Sequence, residues 1–324
     1  MWTLAAEFQF SWLWVAEVLV GVALYAMLAA SLNLVTGFGG MFSLGHHGFF
    51  AVGAYAAGWM ASLAASVEPG SAAGWAVFAA SAVFAVAASA AAGLLVGLPC
   101  LRLRGDYLAI ATLAFGEIVR IVIQNTPALG GSLELNVPRL VMRPRGLAEV
   151  ESFRELFLVV GVAALAVVLV VIRNIVRSAH GRAVVSVRED EIASELLGVP
   201  TTRYKVRAFV LGAAFAGLAG WYYAHYTGSI APANFDMLVG IKILLIVVLG
   251  GLGSLTGTVL AAAVLVGLER LLQSGVFGED LKRWMQVEYA LILILVMLLR
   301  PHGLLGRFEL GDLFRRRARG GRAA

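Results

Sequence analysis

The residues of this chain that could do chemistry are few, and most stand among apolar neighbours. Two glycine-rich breaks interrupt the greasy runs: Gly37-Phe38-Gly39-Gly40, followed by Ser43 and the pair His46-His47, and Gly250-Gly251-Leu252-Gly253-Ser254. Backbone N–H groups exposed at the start of a helix can hold a carboxylate. Gly39, Gly40, Ser43 and His46, with Gly250, Gly251, Gly253 and Ser254, are therefore candidates to line the path of a small polar solute. The bland alternative is that both breaks are plain kinks or hinges. Glu117 and Arg120 stand i,i+3 in an apolar run, a spacing that lets them face each other on a helix. Ionisable groups inside a membrane span are functional candidates, so Glu117 joins the path list, against the alternative of a structural ion pair near one helix end. His46 and His47 lack the further ligands a metal site needs. They read as polar packing at a helix entrance or, for His46, as cavity lining. Lys242, with Asp236 at the start of its segment, reads as a cation that snorkels to the interface, with cavity lining as the alternative.

A second kind of feature is RSAHGRAVVSVREDEIASELLGVPTTRYKVR, residues 177–207, a charge-dense stretch between two apolar blocks. Ser186 and Glu189 have the S-x-x-E spacing of a capping box. Gly198 and Pro200 fit a helix end. The spacing predicts one short helix from Val187 to Leu197. Ile192, Leu196 and Leu197 fall on one face with Ala193 at its border, and Arg188, Glu189, Asp190, Glu191 and Glu195 cover the rest. The stripe can pack on the chain's own membrane domain or on another protein. A helix lying on lipid would carry lysines where this one carries acids.

What must position these groups follows from composition. The chain has 324 residues, 60% apolar and 14% charged, with a mean hydropathy of +0.86. Soluble domains carry about 25% charged residues. Apolar runs near 12–34, 43–65, 75–98, 107–124, 156–173, 206–226, 237–249, 255–272 and 284–299 are of the order needed to cross a hydrocarbon core about 30 Å thick. We expect an all-α polytopic membrane protein with about nine transmembrane or re-entrant helical segments. Residues 1–300 would form the membrane domain and 301–324 a basic tail near anionic lipid. The first run lacks the basic flank and cleavage site of a signal peptide and is expected to be retained. The seventh run is short, and the glycine break after it suggests a broken element, tolerated at membrane depth only when buried in protein or facing a water-filled cavity. Together the two breaks invite an inverted-repeat reading.

Cations set the expected orientation. Arg102 and Arg104 follow the third run, Arg173, Arg177, Arg182 and Arg188 the fifth, and Arg300, Arg307 and Arg315-Arg316-Arg317 the last. All three groups lie in the cytoplasm if the N-terminus is outside, the C-terminus inside and the chain crosses about nine times. Loop 125–155 then falls outside despite Arg139, Arg143, Arg145 and Arg154. The net charge of +5 is distributed around spans, so it does not signal nucleic acid. The single cysteine, Cys100, excludes an intrachain disulfide and reads as packing. Gly48, Gly53, Ala54, Ala57 and Gly58 form a face of small residues that allows close helix contact, packing first, with dimer contact as an extra role.

Three segments carry a resemblance: SLNLVTGFGGMFSLGHHGFFAVGAYAAG at 31–58, LRLRGDYLAIATLAFGEIVR at 101–120, and HGRAVVSVREDEIASELLGVPTTRYKVRAFVLGAAFAGLAG at 180–220, the last continued by ILLIVVLGGLGSLTGTVLAA at 243–262. The chain resembles the permease subunits of branched-chain amino acid ABC importers of the LivM type. The resemblance implies that 177–207 is a cytoplasmic coupling loop that docks on a soluble ABC ATPase. Gly181, Arg182, Arg188, Glu189, Asp190, Ala193, Leu197 and Gly198 match the family's pattern there. It also implies a second related permease, a periplasmic or extracellular solute-binding protein, a location in the cell inner membrane, and ATP bound by the partner rather than by this chain, which needs no cofactor of its own. In agreement, the sequence has no G-x-x-x-x-G-K-[ST] phosphate loop. GGSLELNVP at 130–138, His47 and Lys242 depart from the family's usual pattern and bear on the cargo. Branched-chain amino acids are the usual cargo, with urea and short amides as alternatives. An ion-coupled secondary transporter of amino acids would need carboxylates at the bilayer midplane, and a scaffold without transport is the third class.

Overall fold

The computed structural model describes residues 12–103, 105–142 and 147–273, with Leu291 and Ile294. The ninth apolar run, the tail 301–324, and Arg104, Arg143, Arg145, Arg300, Arg307 and Arg315 to Arg317 lie outside the described residues. Helices α1 (Trp12–Asn33), α2 (His46–Leu63), α3 (Ala72–Cys100), α4 (Asp106–Gln124) and α5 (Leu147–Arg177) are followed by two short helices, α6 (Ala179–Glu189) and α7 (Glu191–Leu196). Then come α8 (Thr201–Thr227), α9 (Met237–Gly250) and α10 (Leu255–Gln273). The first eight apolar runs thus each became a helix, the seventh a shorter one than the rest. Among the described residues the all-α expectation holds except for a two-residue antiparallel pair, β1 (Leu135–Asn136) with β2 (Ser229–Ile230).

Five of the described helical stretches are long and apolar enough to cross a membrane, and they fall on α1, α3, α5, α9 and α10. The other long helices are α2, α4 and α8; α2 and α8 carry many small residues and are largely buried in the bundle, while much of α4 is exposed. α2 and α8 cross where Gly53 meets the backbone of Gly217, and Gly220 meets Phe50 O and Ala54 N. A methyl group at these positions would collide with main chain, so close approach selects glycine. The small-residue face of α2 is therefore spent inside the subunit. Gly48 sits on Gly116 of α4, and Gly58 on Val137 and Ile230.

Successive long helices reverse direction between two ends. At one end the β1–β2 pair, the Gly70 N to Leu140 O bond and Tyr55 Oη with Ile230 O come together. At the other, the end of α1, the α9–α10 turn and α6 meet around Asn33 and Arg188. α1 leaves its regular winding in a wider turn, Leu34–Phe38, with Gly39 N bonded to Leu34 O at 3.1 Å. Gly40, at φ 68°, then turns the chain toward α2.

The short seventh run is a helix of 14 residues ended by Gly251 (φ 101°) and Gly253 (φ 86°). Ser254 and Gly251 are buried, and one side chain of α1 ties the turn down. Asn33 Nδ2 donates to Ser254 O at 3.1 Å and to Thr258 Oγ1 at 2.7 Å, while Gly253 N donates to Asn33 Oδ1 at 2.8 Å. Irregular backbone inside a membrane protein requires such internal partners.

Candidate functional site

The charge-dense insert is not one helix from Val187 to Leu197. It breaks at Asp190, whose extended backbone (φ −154°, ψ 111°) separates α6 from α7. Asp190 Oδ1 accepts the Ala193 amide at 3.0 Å and caps α7. Ser178 caps α6 by accepting from Gly181 N at 3.2 Å. Ser186, expected as the cap, lies inside α6 and donates to Ala183 O at 2.9 Å. The S-x-x-E match was a coincidence of spacing. Aspartate is an equally good N-cap, and a second helix starting there lets the chain turn back toward the bundle. The expected end is confirmed: Gly198 takes φ 80° after Leu197.

The acids of α7 face its own chain and its apolar residues face away. Glu191 pairs with Lys205 at 2.5 Å, Thr201 Oγ1 donates to Glu195 Oε1 at 2.8 Å, and Ser194 is buried. Ile192 is 65% exposed, and Leu196 and Leu197 are each 84% exposed. A short helix normally needs its apolar stripe packed to persist. Here the polar face is tethered and the apolar face is left outward, the inverse of a folded surface.

α6 faces the bundle. Gly181 is pressed against the backbone of Ile175 and Val176, where no side chain fits. Arg182 is exposed and donates to Arg177 O at 3.0 Å. Arg188 reaches inward: its Nη1 donates to Gly37 O at 2.6 Å, its stem covers Gly40, and Nη1 also approaches Gly253. Glu189 is exposed, 3.7 Å from Arg188. Both glycine breaks therefore meet at one arginine of the insert. Asn33 joins them from within. It had not stood out in the sequence, although a lone amide in an apolar run is the available signal.

The proposed path residues separate into two groups. Gly39, Gly40, Gly250, Gly251, Gly253 and Ser254 belong to the joint around Asn33 and Arg188. Gly250 packs on Gly257 and Thr258, and the Gly253 amide is taken by Asn33. Ser43, His46 and Glu117 lie beyond it, where α2 meets α4. His46 Nε2 lies 2.7 Å from Ser31 Oγ, whose hydroxyl donates to Leu28 O. His46 therefore joins α2 to α1. Glu117 accepts from Arg120 Nε at 2.8 Å, as the spacing predicted. His47 fills the gap left by Gly116 and Gly240 and points Nε2 toward Glu117 Oε1 at 3.8 Å. Ser43 Oγ and His47 Nε2 are buried without a hydrogen-bond partner.

Lys242 lines a cavity, the alternative to snorkelling. Its ammonium pairs with Glu269 of α10 and lies 3.8 Å from the centre of the Tyr25 ring. Asp236 instead caps α9 by accepting from Val239 N at 3.0 Å.

Comparison with known proteins gives one family. Residues 14–300 match the family described as branched-chain amino acid transport system / permease component. The chain is 38% identical over 304 residues to the high-affinity branched-chain amino acid transport system permease protein LivM of Salmonella typhimurium, covering 87% of this chain and 68% of that protein. It is 30% identical over 293 residues to the corresponding permease protein LivH of Escherichia coli K12, covering 88% and 92%. A 38% match over 133 residues, 41% of this chain and 42% of the relative, links it to permease protein BraD of Pseudomonas aeruginosa. No solved structure matches the chain. A multi-pass helical bundle matched along nearly all its length leaves one assignment: the chain belongs to the family of permease components of branched-chain amino acid transport systems.

Proposed function

We propose that the chain is the permease subunit of an ABC importer that carries branched-chain amino acids across the cell inner membrane. In this reading it crosses about nine times, with the N-terminus outside and the C-terminus in the cytoplasm. The Arg188 end of the bundle is cytoplasmic and the β1–β2 end faces the solute-binding protein. A second, related permease completes the pore. Soluble ABC ATPases bind and hydrolyse ATP in trans, and this chain holds no cofactor.

One observation carries the reading. α7 presents Ile192, Leu196 and Leu197 outward from a mount whose neighbouring helix grips both glycine breaks through Arg188. An exposed apolar set of this kind marks an interaction site, and its attachment gives a pull on the insert a route into α1 and α9–α10. Among the described residues, Glu17, Glu117 and Glu269 each face a cation, Arg270, Arg120 and Lys242, which gives an ion-coupled carrier no comparable support.

The test is reconstitution of the chain with its partner subunits in proteoliposomes, with a cysteine at position 196. ATP-driven uptake of labelled leucine without an ion gradient, together with crosslinks from position 196 to the ATPase, is the expected result. Uptake that requires an ion gradient, or crosslinks that find only lipid, would overturn the proposal.

A further inference from the structure

Between α1, α8, α9 and α10, toward the β1–β2 end and away from Arg188, lies a cavity of about 290 Å³. Small-molecule pockets begin at about 300 Å³, so the space suits a small solute. Its walls combine groups rarely found together inside a membrane protein. Lys242, Glu269 and Arg270 supply both signs of charge, Tyr25, Tyr223 and Tyr226 supply ring faces and hydroxyls, and Val20, Leu24 and Val266 form an apolar side. The Lys242 and Glu269 side chains are only 13% and 16% exposed. Charges so placed are expensive and mark functional positions.

The Lys242 ammonium itself shows what the cavity accepts. It sits on the Glu269 carboxylate and over the Tyr25 ring, the surroundings that suit any ammonium through charge-assisted hydrogen bonding and cation–π attraction. Lysine has a flexible stem. If it swings aside, a ligand ammonium can take its place while the lysine takes a carboxylate of the same ligand. One ion pair then becomes two, and a neutral zwitterion enters without adding net charge. Arg270, held at 3.1 Å from Glu17, keeps further N–H donors for the same carboxylate. The glycine breaks are less suited to that task, because the Gly253 amide is already bonded to Asn33.

We infer that the cavity framed by Lys242, Glu269 and Arg270 is a binding station for a free α-amino acid. Lys242 and Arg270 hold its carboxylate, Glu269 and the Tyr25 face hold its ammonium, and the Val20–Leu24–Val266 wall takes an apolar side chain. This rests on the importer reading and deepens it. The cavity also lies on the hairpin that the insert touches: Lys242 and Glu269 join α9 to α10 at one end, and Asn33 and Arg188 hold their turn at the other. A ligand that divides the Lys242–Glu269 pair therefore loosens the hairpin whose turn reports to the ATPase side.

The test is equilibrium binding of radiolabelled L-leucine to the complete purified transporter without its solute-binding protein. Leucinamide, which lacks the carboxylate, and 4-methylpentanoate, which lacks the amine, serve as competitors. The unsubstituted transporter is expected to bind leucine and to reject both analogues. Lys242→Gln should raise the leucine Kd about tenfold or more and let leucinamide compete as well as leucine. Glu269→Gln should raise it similarly and selectively relieve the penalty on 4-methylpentanoate. A merely structural ion pair would change all three ligands in parallel, and that result overturns the assignment. So does a leucine Kd within about twofold of the unsubstituted value in both variants. Absence of leucine binding to the unsubstituted transporter overturns it as well, and ATP-driven leucine uptake by the same preparation then separates this failure from failure of the importer reading.

Discussion

Arg188 donates to the carbonyl of Gly37 at 2.6 Å, across 151 residues of sequence. The bond ties the surface insert to the wide last turn of α1, and the same side chain covers Gly40 and reaches Gly253. A buried carbonyl at an irregular turn needs a donor, and here that donor comes from the element proposed to receive the ATPase stroke.

Arg188→Glu is expected to reduce ATP-driven leucine uptake by about tenfold or more, since a charge-assisted hydrogen bond of about 1.5–3 kcal/mol is lost and a like-charge contact with Glu189 is created. Membrane insertion should persist. Uptake measured beside ATP hydrolysis by the same assembly checks this: retained hydrolysis with lost uptake is the uncoupled outcome, and normal uptake removes Arg188 from the transmission route.

Leu196→Ser with Ile192→Ser should leave the bundle intact, because both side chains are exposed in the subunit. Loss of apolar anchors at the centre of an interface costs about 2 kcal/mol or more. Co-purification with the ATPase should fall sharply while the thermal stability of the isolated permease stays the same. Equal ATPase recovery from both proteins would show that α7 is not the docking surface.

Asn33→Ala removes the acceptor of Gly253 N and the donor to Ser254 O and Thr258 Oγ1. Each buried polar group left without a partner costs about 1–3 kcal/mol. A marked fall in the melting temperature of the purified permease is expected, with faster hydrogen exchange at 250–258. An unchanged melting temperature would show that the α9–α10 turn does not depend on this amide.

Asp190→Ala and Ser186→Ala separate the observed insert from the one the spacing suggested. Loss of an N-cap costs about 1 kcal/mol, so the first variant should speed amide exchange at 192–196 and the second should leave it unchanged. The reverse order would restore a single helix from Val187.

Gly217→Val should prevent correct packing of α8 on α2 and α3. A Cβ at 217 already meets Ser89 and the Ala85 carbonyl, and the Gly217 backbone lies against Gly53. Overpacking costs about 1–3 kcal/mol and often more against main chain. Reduced folded yield in detergent is the expected result, and a normal yield would contradict the close crossing.

Much of the architecture was legible because a membrane helix announces itself by composition. The runs at 12–34 and 255–272 became α1 and α10 within a residue or two, and the glycine break at 250–254 became a turn. The Glu117–Arg120 pair was readable because both residues sit on one helix with fixed geometry. The insert's start was misread because Ser186 and Asp190 both suit a helix N-terminus locally, and only docking against α5 and α8 selects between them. The partner of Lys242 was not readable for a related reason: Glu269 lies 27 residues away on another helix.

The sequence alone determined that this protein is a bundle of membrane helices carrying one charged insert, because transfer of apolar side chains into lipid depends on composition and run length. Its motifs also sufficed to place it in its family. Tertiary structure decided which side chains meet: Arg188 with Gly37, Asn33 with the α9–α10 turn, Lys242 with Glu269. Those meetings depend on how each helix is rotated and registered against its neighbours. Packing at glycine crossings sets that rotation, and hydropathy along a single segment does not encode it.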